Sequence, residues 1–328
     1  MKTMKTPVFW FKKNSIFKYL LFPLTYLWRL GFSYKKLITE QKTFPIPIIC
    51  IGNIIMGGAG KTPLTIEISR NLKKMGKNVH IVYKTFDTNI NKDVLEVSKK
   101  SNPEEVGDEP IIASSVARTW VSNDRSLGIE KAIKNKADII LLDDGLQDYS
   151  IKKNISLLVV NEKQAFGNNC LFPSGPLREN VRNGIAKCDC IFYYGRDETF
   201  SKLVPNCNKP IFFVKYIKPE KIIKKFLKKD LTAFAGIAHP NNFFDILEKY
   251  NLKVVKKYYF SDHKKYTKRE INNLIKDSDS INSRLITTEK DYVKLPSMYK
   301  KKIDFLPLNI KYDIKNFVHI LKNKIDGF

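Results

Sequence analysis

Short unbroken apolar runs alternate with longer stretches in which apolar residues recur every three or four positions. From residue 45 onward the alternation is regular. Residues 46–51 predict a buried strand, residues 63–75 a helix closed by Gly76, and residues 79–83 a second strand. Residues 84–106 are too polar to assign. Helices are predicted over 111–121 and 128–135, then an apolar strand from 137 that ends in Asp143 and Asp144. Further strands are predicted at 156–160, 189–194, 211–214, 232–237, 285–288 and 305–308. Continuous apolar strands separated by helical segments predict an α/β fold with a doubly wound, mostly parallel sheet. The lysine-rich stretch 215–229 marks a boundary between a domain over 37–214 and a smaller α/β domain over 215–328.

Residues 1–36 follow a different pattern. The stretch 8–36 is dense in Phe, Tyr, Leu and Trp, interrupted by Lys12, Lys13, Lys18, Arg29, Lys35 and Lys36. Its longest uncharged run, 19–28, is ten residues, against the roughly 20 that a spanning helix requires. No small-residue cleavage site follows, so a secretory signal fits poorly. A basic, aromatic-rich segment of this kind predicts an amphipathic helix lying in a membrane interface, kinked at Pro23. The competing reading is a helix docked on the protein's own core.

Between the first strand and helix lies Gly52-Asn53-Ile54-Ile55-Met56-Gly57-Gly58-Ala59-Gly60-Lys61-Thr62-Pro63. Glycines let backbone N–H groups turn inward on a phosphate; Lys61 can reach the β/γ-phosphates and the Thr62 hydroxyl a Mg²⁺. Pro63 suits a first helical turn, where its missing N–H costs nothing. The loop is therefore the expected nucleotide cradle of a P-loop NTPase-type fold, although the general pattern wants glycine where Ile55 stands. Asp143 and Asp144, at the end of an apolar strand, occupy the place of a Walker-B metal-binding acid. Gly107-Asp108-Glu109-Pro110 adds two carboxylates at a loop–helix junction. Phosphoryl transfer to a hydroxyl needs a base outside the metal pair, but spacing alone does not select Asp108. His263, in Ser261-Asp262-His263, reads by itself as an ordinary loop histidine.

Composition changes the picture in two places. The net charge is +25, carried by 49 lysines and only nine arginines against 33 acidic residues. Solvated lysine faces account for part of it; the rest favours an anionic membrane leaflet. No arginine stripe or aromatic-interleaved basic motif supports nucleic acid. Five cysteines, without framework spacing, fit a reducing cytosol, and Cys188-Asp189-Cys190 lacks the second pair a metal site needs.

Several segments together resemble one family, the tetraacyldisaccharide 4'-kinases of lipid A biosynthesis. They are the 52–63 loop, Gly107-Asp108-Glu109-Pro110, Asp143-Asp144-Gly145-Leu146-Gln147, Phe172-Pro173-Ser174-Gly175-Pro176-Leu177-Arg178-Glu179, Phe234-Ala235-Gly236-Ile237-Ala238, Ser261-Asp262-His263 and Thr287-Thr288-Glu289-Lys290-Asp291. The family's own loop also lacks a glycine at the position of Ile55. The resemblance implies an ATP- and Mg²⁺-dependent kinase, peripheral on the cytosolic leaflet of the inner membrane. It would phosphorylate the 4'-hydroxyl of an acylated disaccharide 1-phosphate to give lipid IVA, for lipopolysaccharide. It implies Asp108 as general base supported by His263, and Lys61 on the phosphates. Thr62 with Asp143 or Asp144 would hold Mg²⁺, with Glu109 close by. Asn53, Met56, Gly57, Gly58, Ala59, Gly60 and Pro63 would line the nucleotide, with Arg178 and Glu179 near it or the substrate headgroup. The smaller domain is expected to close over the site, and no protein partner is implied. Two departures stand out: Asp148 where the family usually has histidine, and Lys84-Thr85-Phe86 where it has Arg-Gly-Tyr. Lys keeps the charge of Arg but not its bidentate fork. The rivals are a P-loop GTPase or metal-insertion NTPase, prompted by Asn135-Lys136-Ala137-Asp138, and a nucleotide-gated membrane-binding module.

Overall fold

The computed structural model describes residues 7–85, 93–262 and 264–325, so Phe86 and His263 lie outside the described residues. The chain divides into two compact units. The larger takes described residues of 7–98, 113–215 and 310–325; the smaller takes Lys99–Ile112 and Tyr216–Asn309. The single cut expected at 215 differs from this. Residues 99–112 lie in the smaller unit and the C-terminal helix Ile314–Lys324 in the larger. That helix belongs there because Phe317 packs edge-on against Phe192 and Phe212, at centroid distances of 5.3 and 5.7 Å.

The larger unit is built on strands β1 (Ile48–Gly52), β2 (Val79–Lys84), β3 (Val94–Val97), β4 (Arg118–Ser122), β5 (Ile139–Asp143), β6 (Ile155–Asn161), β7 (Cys190–Tyr194) and β8 (Ile211–Phe213). They form one sheet in the order β3-β4-β2-β5-β1-β6-β7-β8, parallel throughout except for β3 on β4 at one edge. β1 lies near the middle, and the chain winds outward from it in both directions. Strands covered by helices on both faces must be apolar at every position, and β1 and β5 are buried along their whole lengths.

Three elements differ from the sequence expectation. Residues 118–121 are strand, not helix: the helix Asp108–Ala113 stops early, and Thr119-Trp120-Val121 enter the sheet between β2 and β3. Aromatic and β-branched side chains on a doubly paired strand outweigh a weak helical period. β3 is a four-residue edge strand interrupted by Glu96, too short to show a strand period within the polar stretch around it. The helix after β1 begins at Lys61, not Pro63, and runs to Lys74.

The smaller unit repeats the architecture with four parallel strands, Leu231–Ala235, Val254–Tyr259, Arg284–Thr288 and Ile303–Leu306. Val254–Tyr259 was missed because it is a half-exposed edge carrying Lys256 and Lys257, residues that blunt edge-to-edge pairing.

The N-terminal segment holds helices α1 (Ile16–Leu20) and α2 (Phe22–Ile38), with Pro23 in the first turn of α2, so the expected kink is a break between two helices. One face is docked on its own unit. The Trp10 indole N–H donates to the Pro173 carbonyl (3.0 Å), the Thr25 hydroxyl to Ser174 Oγ (2.8 Å), and the Trp10 and Trp28 rings meet Phe172 edge-on. The other face leaves Phe17, Leu20, Phe22, Leu27, Leu30 and Leu37 exposed. No described helix is long and apolar enough to cross a membrane.

Cys188-Asp189-Cys190 turns out to be structural. Both thiols are buried, burial pushes the Cys188 pKa up to about 12, and Asp189 accepts the Ser156 N–H at 2.8 Å.

A buried histidine offers a test of this core. His80 on β2 is fully buried, and its Nδ1 accepts the Trp120 indole N–H at 3.1 Å. Burial, reinforced by the Arg118 charge, lowers its pKa to about 4. The unfolded chain therefore binds a proton near pH 6.5 that the fold refuses until about pH 4. The stability His80 contributes above pH 6.5 should be lost as pH falls through this window, by up to roughly 3 kcal/mol. Melting curves from pH 7 to 4.5 should show the gap between wild type and His80→Gln changing in favour of the variant as pH falls.

Candidate active site

Parallel pairing of β1 with β5 sets Ile51 opposite Asp143. The turns leaving these two strands are therefore neighbours, and they carry the phosphate loop and the acidic pair. Gly57 and Gly60 take φ of 115° and 94°, values that favour glycine. Gly60 is the N-cap of the helix Lys61–Lys74. A Cβ on Gly60 would meet the Tyr194 ring at 2.9 Å, and the Tyr194 hydroxyl donates to the Gly60 carbonyl at 2.9 Å. A Cβ on Gly58 would meet nothing within 4 Å, so the loop is open there.

Asn53 is fully buried behind the loop; its amide donates to the Gly57 carbonyl at 3.4 Å, while its Oδ1 is buried with no hydrogen-bond partner among the described residues. Ile55 and Met56 explain the departure from the general pattern. Ile55 is buried and bridges antiparallel to Leu177, the Met56 N–H donates to the Pro176 carbonyl (2.8 Å), and the Arg178 N–H to that of Ile54 (2.8 Å). The non-glycine part of the loop forms an isolated antiparallel β-bridge that docks the Phe172–Glu179 motif beside the cradle. Ala59 is buried, and Thr62 and Pro63 sit in the first turn of α3 (Lys61–Lys74).

That docking delivers Arg178. Its Nη1 contacts both Asp144 carboxylate oxygens (2.9 and 3.0 Å) and Gln147 Oε1 (3.2 Å). Lys61 Nζ lies 3.5 Å from Asp144 Oδ1. Burial opposes charge on Asp144, yet Lys61 and Arg178 hold its carboxyl below the usual range. Asp143 is buried at the end of β5, and Asp144 takes the left-handed conformation (φ 56°). Glu179, also buried, accepts the Gln147 amide (2.7 Å) and the Lys187 ammonium (2.5 Å). An open glycine cradle at a helix N-terminus, beside a lysine, a threonine and two strand-end aspartates, fits a magnesium–nucleotide. Mg²⁺ needs only one or two protein carboxylates besides phosphates and water.

The smaller unit holds the other carboxylates. Asp108 starts the helix Asp108–Ala113 and is buried. Glu109 is ion-paired to Lys290. Burial, and then the adjoining Glu109 carboxylate, push the Asp108 pKa up to about 8. Burial works against ionised Glu109 too, but the Lys290 ammonium holds it ionised. Burial thus favours the protonated form of Asp108, and Lys290 the ionised form of Glu109. Lys290 is positioned by its neighbour Asp291, which is fully buried and accepts the Gly236 N–H (2.9 Å), the Tyr266 hydroxyl (2.9 Å) and the Thr288 hydroxyl (2.7 Å). This hub ties the Phe234-Ala235-Gly236 and Thr287–Asp291 motifs together.

A sequence profile of the tetraacyldisaccharide-1-P 4'-kinase family matches residues 17–326. The tetraacyldisaccharide 4'-kinase of Paramagnetospirillum magneticum is 32% identical over 327 residues, covering 98% of this chain and 99% of the relative. That of Rhodospirillum centenum is 30% identical over 314 residues, covering 94% and 93%. The chain belongs to the tetraacyldisaccharide-1-P 4'-kinase family. A crystal structure of the "apo" form of LpxK from Aquifex aeolicus in complex with ATP has the same fold, with a TM-score of 0.74 over 93% of this chain and 98% of that one at 24% identity.

As a member of this kinase family the chain is an enzyme, and its larger unit shows site residues that motif reading passed over. Gln147 donates to the Asn53 carbonyl (3.0 Å) and to Glu179, and so links the phosphate loop to the Arg178 segment. Tyr194 and Lys187 reach the site from β7 and the helix Val181–Ala186 region. Each comes from an element remote in sequence, and no local pattern flags them. Gln147 alone was legible, inside the Asp-Asp-Gly-Leu-Gln string. Lys84 ends β2 at the surface, and His263 lies outside the described residues.

Gly60→Ala should weaken nucleotide binding about tenfold, since a left-handed non-glycine residue costs about 1–2 kcal/mol before the Tyr194 clash. Titration with a fluorescent ATP analogue checks this; unchanged affinity would mean the loop does not hold the nucleotide as drawn.

Proposed function

We propose that this kinase transfers the γ-phosphate of ATP, with Mg²⁺, to the 4'-hydroxyl of a tetraacyldisaccharide 1-phosphate, forming lipid IVA at the cytosolic face of the inner membrane. The observation that carries the reading is the Lys61–Asp144–Arg178 cluster at the joined ends of β1 and β5. Thr62 with Asp143 or Asp144 would hold the metal, and Lys61 and Arg178, both ion-paired to Asp144, are the cations that would face the phosphate oxygens. Bound magnesium–ATP supplies the transferable phosphoryl group and the charge that screens it. The 53–63 loop, including Met56, Ala59 and Pro63, orients the nucleotide, and Glu179 fixes Gln147 and Lys187 beside it. Asp108 serves as general base for the sugar hydroxyl, with His263 in support; Lys290 keeps Glu109 ionised, and Glu109 is a further candidate metal ligand.

Adenine rather than guanine specificity is favoured by the position of Asn135-Lys136-Ala137-Asp138. Asp138 precedes β5, at the end of the strand opposite Asp143, and its carboxylate accepts the Asn78 N–H. It serves as a turn leading into β5, at the opposite end of that strand from the acidic pair.

The exposed apolar side of α1 and α2 suits insertion into the leaflet that holds a four-chain substrate, while the docked side braces the Phe172–Glu179 segment. Replacing Leu20, Leu27 and Leu37 by Ser should therefore cut partitioning onto anionic vesicles and leave ATP affinity intact. Unchanged partitioning would reduce the segment to a brace.

Incubation with labelled ATP and tetraacyldisaccharide 1-phosphate should yield one doubly phosphorylated lipid, with GTP a poor donor. Asp108→Ala should keep ATP binding and lower kcat by about 10²–10⁴-fold; near-normal turnover would remove Asp108 as base. A base must be ionised to act, so kcat/KM for the lipid should rise with pH through a value near 8 and fall below it.

A further inference from the structure

Arg125 opens the helix Arg125–Lys134 and is almost completely buried. Two of its guanidinium nitrogens are engaged on the acidic turn and its neighbour: Nη1 donates to Asp148 Oδ2 (2.8 Å), and Nη2 to the carbonyls of Asp143 (3.1 Å) and Asp144 (2.9 Å), while Nε is buried with no hydrogen-bond partner among the described residues. Asp148 is fixed in turn. Its Oδ1 accepts the Ser150 N–H (3.2 Å) and hydroxyl (2.6 Å), its own N–H donates to the Gly145 carbonyl (3.0 Å), and its carbonyl accepts Lys153. The helix that carries Arg125 is anchored by Asp124, whose carboxylate accepts the Ser126 N–H at 2.8 Å.

We propose that Arg125 and Asp148 are positioning residues, a buried ion pair that locks the backbone of the Asp143-Asp144 turn and thereby sets the Mg²⁺ affinity of the site. Neither side chain touches substrate in this reading; both act through the two aspartates. The need for a lock follows from the turn itself. Asp144 sits at φ 56°, a conformation a non-glycine residue leaves readily unless its surroundings hold it. Its carboxylate is drawn by Lys61 and Arg178, so a restraint on the peptide decides where the oxygens stand. Mg²⁺ tolerates little error, because it requires near-octahedral ligands at about 2.0–2.1 Å. Arg is the side chain the geometry demands: one planar fork reaches a carboxylate and two carbonyls at once, which a lysine ammonium on a flexible stem cannot hold. Asp148 completes the fork, since a buried guanidinium without a counter-charge is costly.

The inference rests on the kinase reading for its ligand, and the test separates the two. The probe is MgCl₂ titrated into full-length protein with a fixed non-hydrolysable ATP analogue, read by analogue binding, beside the same titration without metal. Wild type should bind the analogue in a Mg²⁺-dependent way; if it does not, the kinase reading falls and takes this inference with it. With wild type binding, Asp148→Asn and Arg125→Lys should each raise the Mg²⁺ concentration for half-maximal binding by about 10–100-fold, the usual effect of losing a partner that orients a metal ligand. Metal-free analogue binding should stay within about twofold of wild type, and the double variant should be no worse than the poorer single one. Ser150→Ala loosens Asp148 without unpairing a buried charge, so it should shift the Mg²⁺ requirement the same way by a smaller factor even where the other variants fold poorly. An unchanged Mg²⁺ requirement in folded Asp148→Asn or Ser150→Ala overturns the proposal. So does an equal loss of metal-free binding, which would mark the pair as part of the general scaffold.

Discussion

The pairing of β1 with β5 is the constraint on which the site depends. Parallel strands finish at the same edge of a sheet, so whatever follows β1 and whatever follows β5 must meet there. Here those are a glycine loop ending in Lys61 and an acidic turn beginning at Asp143, the residue paired with Ile51. The opposed charges then find each other with little further design. Lys61 lies 3.5 Å from Asp144, and Arg178 closes the cluster from a third segment.

The rest of the larger unit holds that edge in place. Tyr194 from β7 grips the Gly60 carbonyl, Leu177 pairs with Ile55, Gln147 spans Asn53 and Glu179, and Arg125 holds the carbonyls of the acidic turn. These contacts are buried or partly buried and nearly all involve a charge or a backbone group. In a low-dielectric setting such bonds are strong when complete and costly when broken. A loop that must present bare N–H groups to a ligand cannot stabilise itself, and the bracing comes from side chains elsewhere.

The smaller unit follows the same logic around one carboxylate. Asp291 gathers the N–H of Gly236 and the hydroxyls of Tyr266 and Thr288, and so fixes the short helix that aims Lys290 at Glu109. Lys290 favours a charged Glu109, while burial, and then the adjoining Glu109, raise the pKa of Asp108. The N-terminal segment likewise does two things at once. Trp10, Thr25 and Trp28 join it to the Phe172–Glu179 motif, while its leucines face outward.

Much of this was legible in the chain itself. Buried parallel strands read as nearly continuous apolar runs, so β1, β5 and β6 declared themselves, and with them the α/β class. The glycines, Lys61, Thr62 and the paired aspartates were readable because their chemistry demands those residue types within a few positions of one another. Thr119-Trp120-Val121 was misread, because a short strand acquires its identity from the neighbours that pair with it. The membership of residues 99–112 in one unit and of Phe317 in the other was likewise invisible. Tyr194, Lys187, Arg125 and the function of Asp148 were hidden for the same reason: each acts on an element tens of residues distant. Local sequence determined which elements exist and which chemistry they carry; only packing across the sheet decided what holds them still.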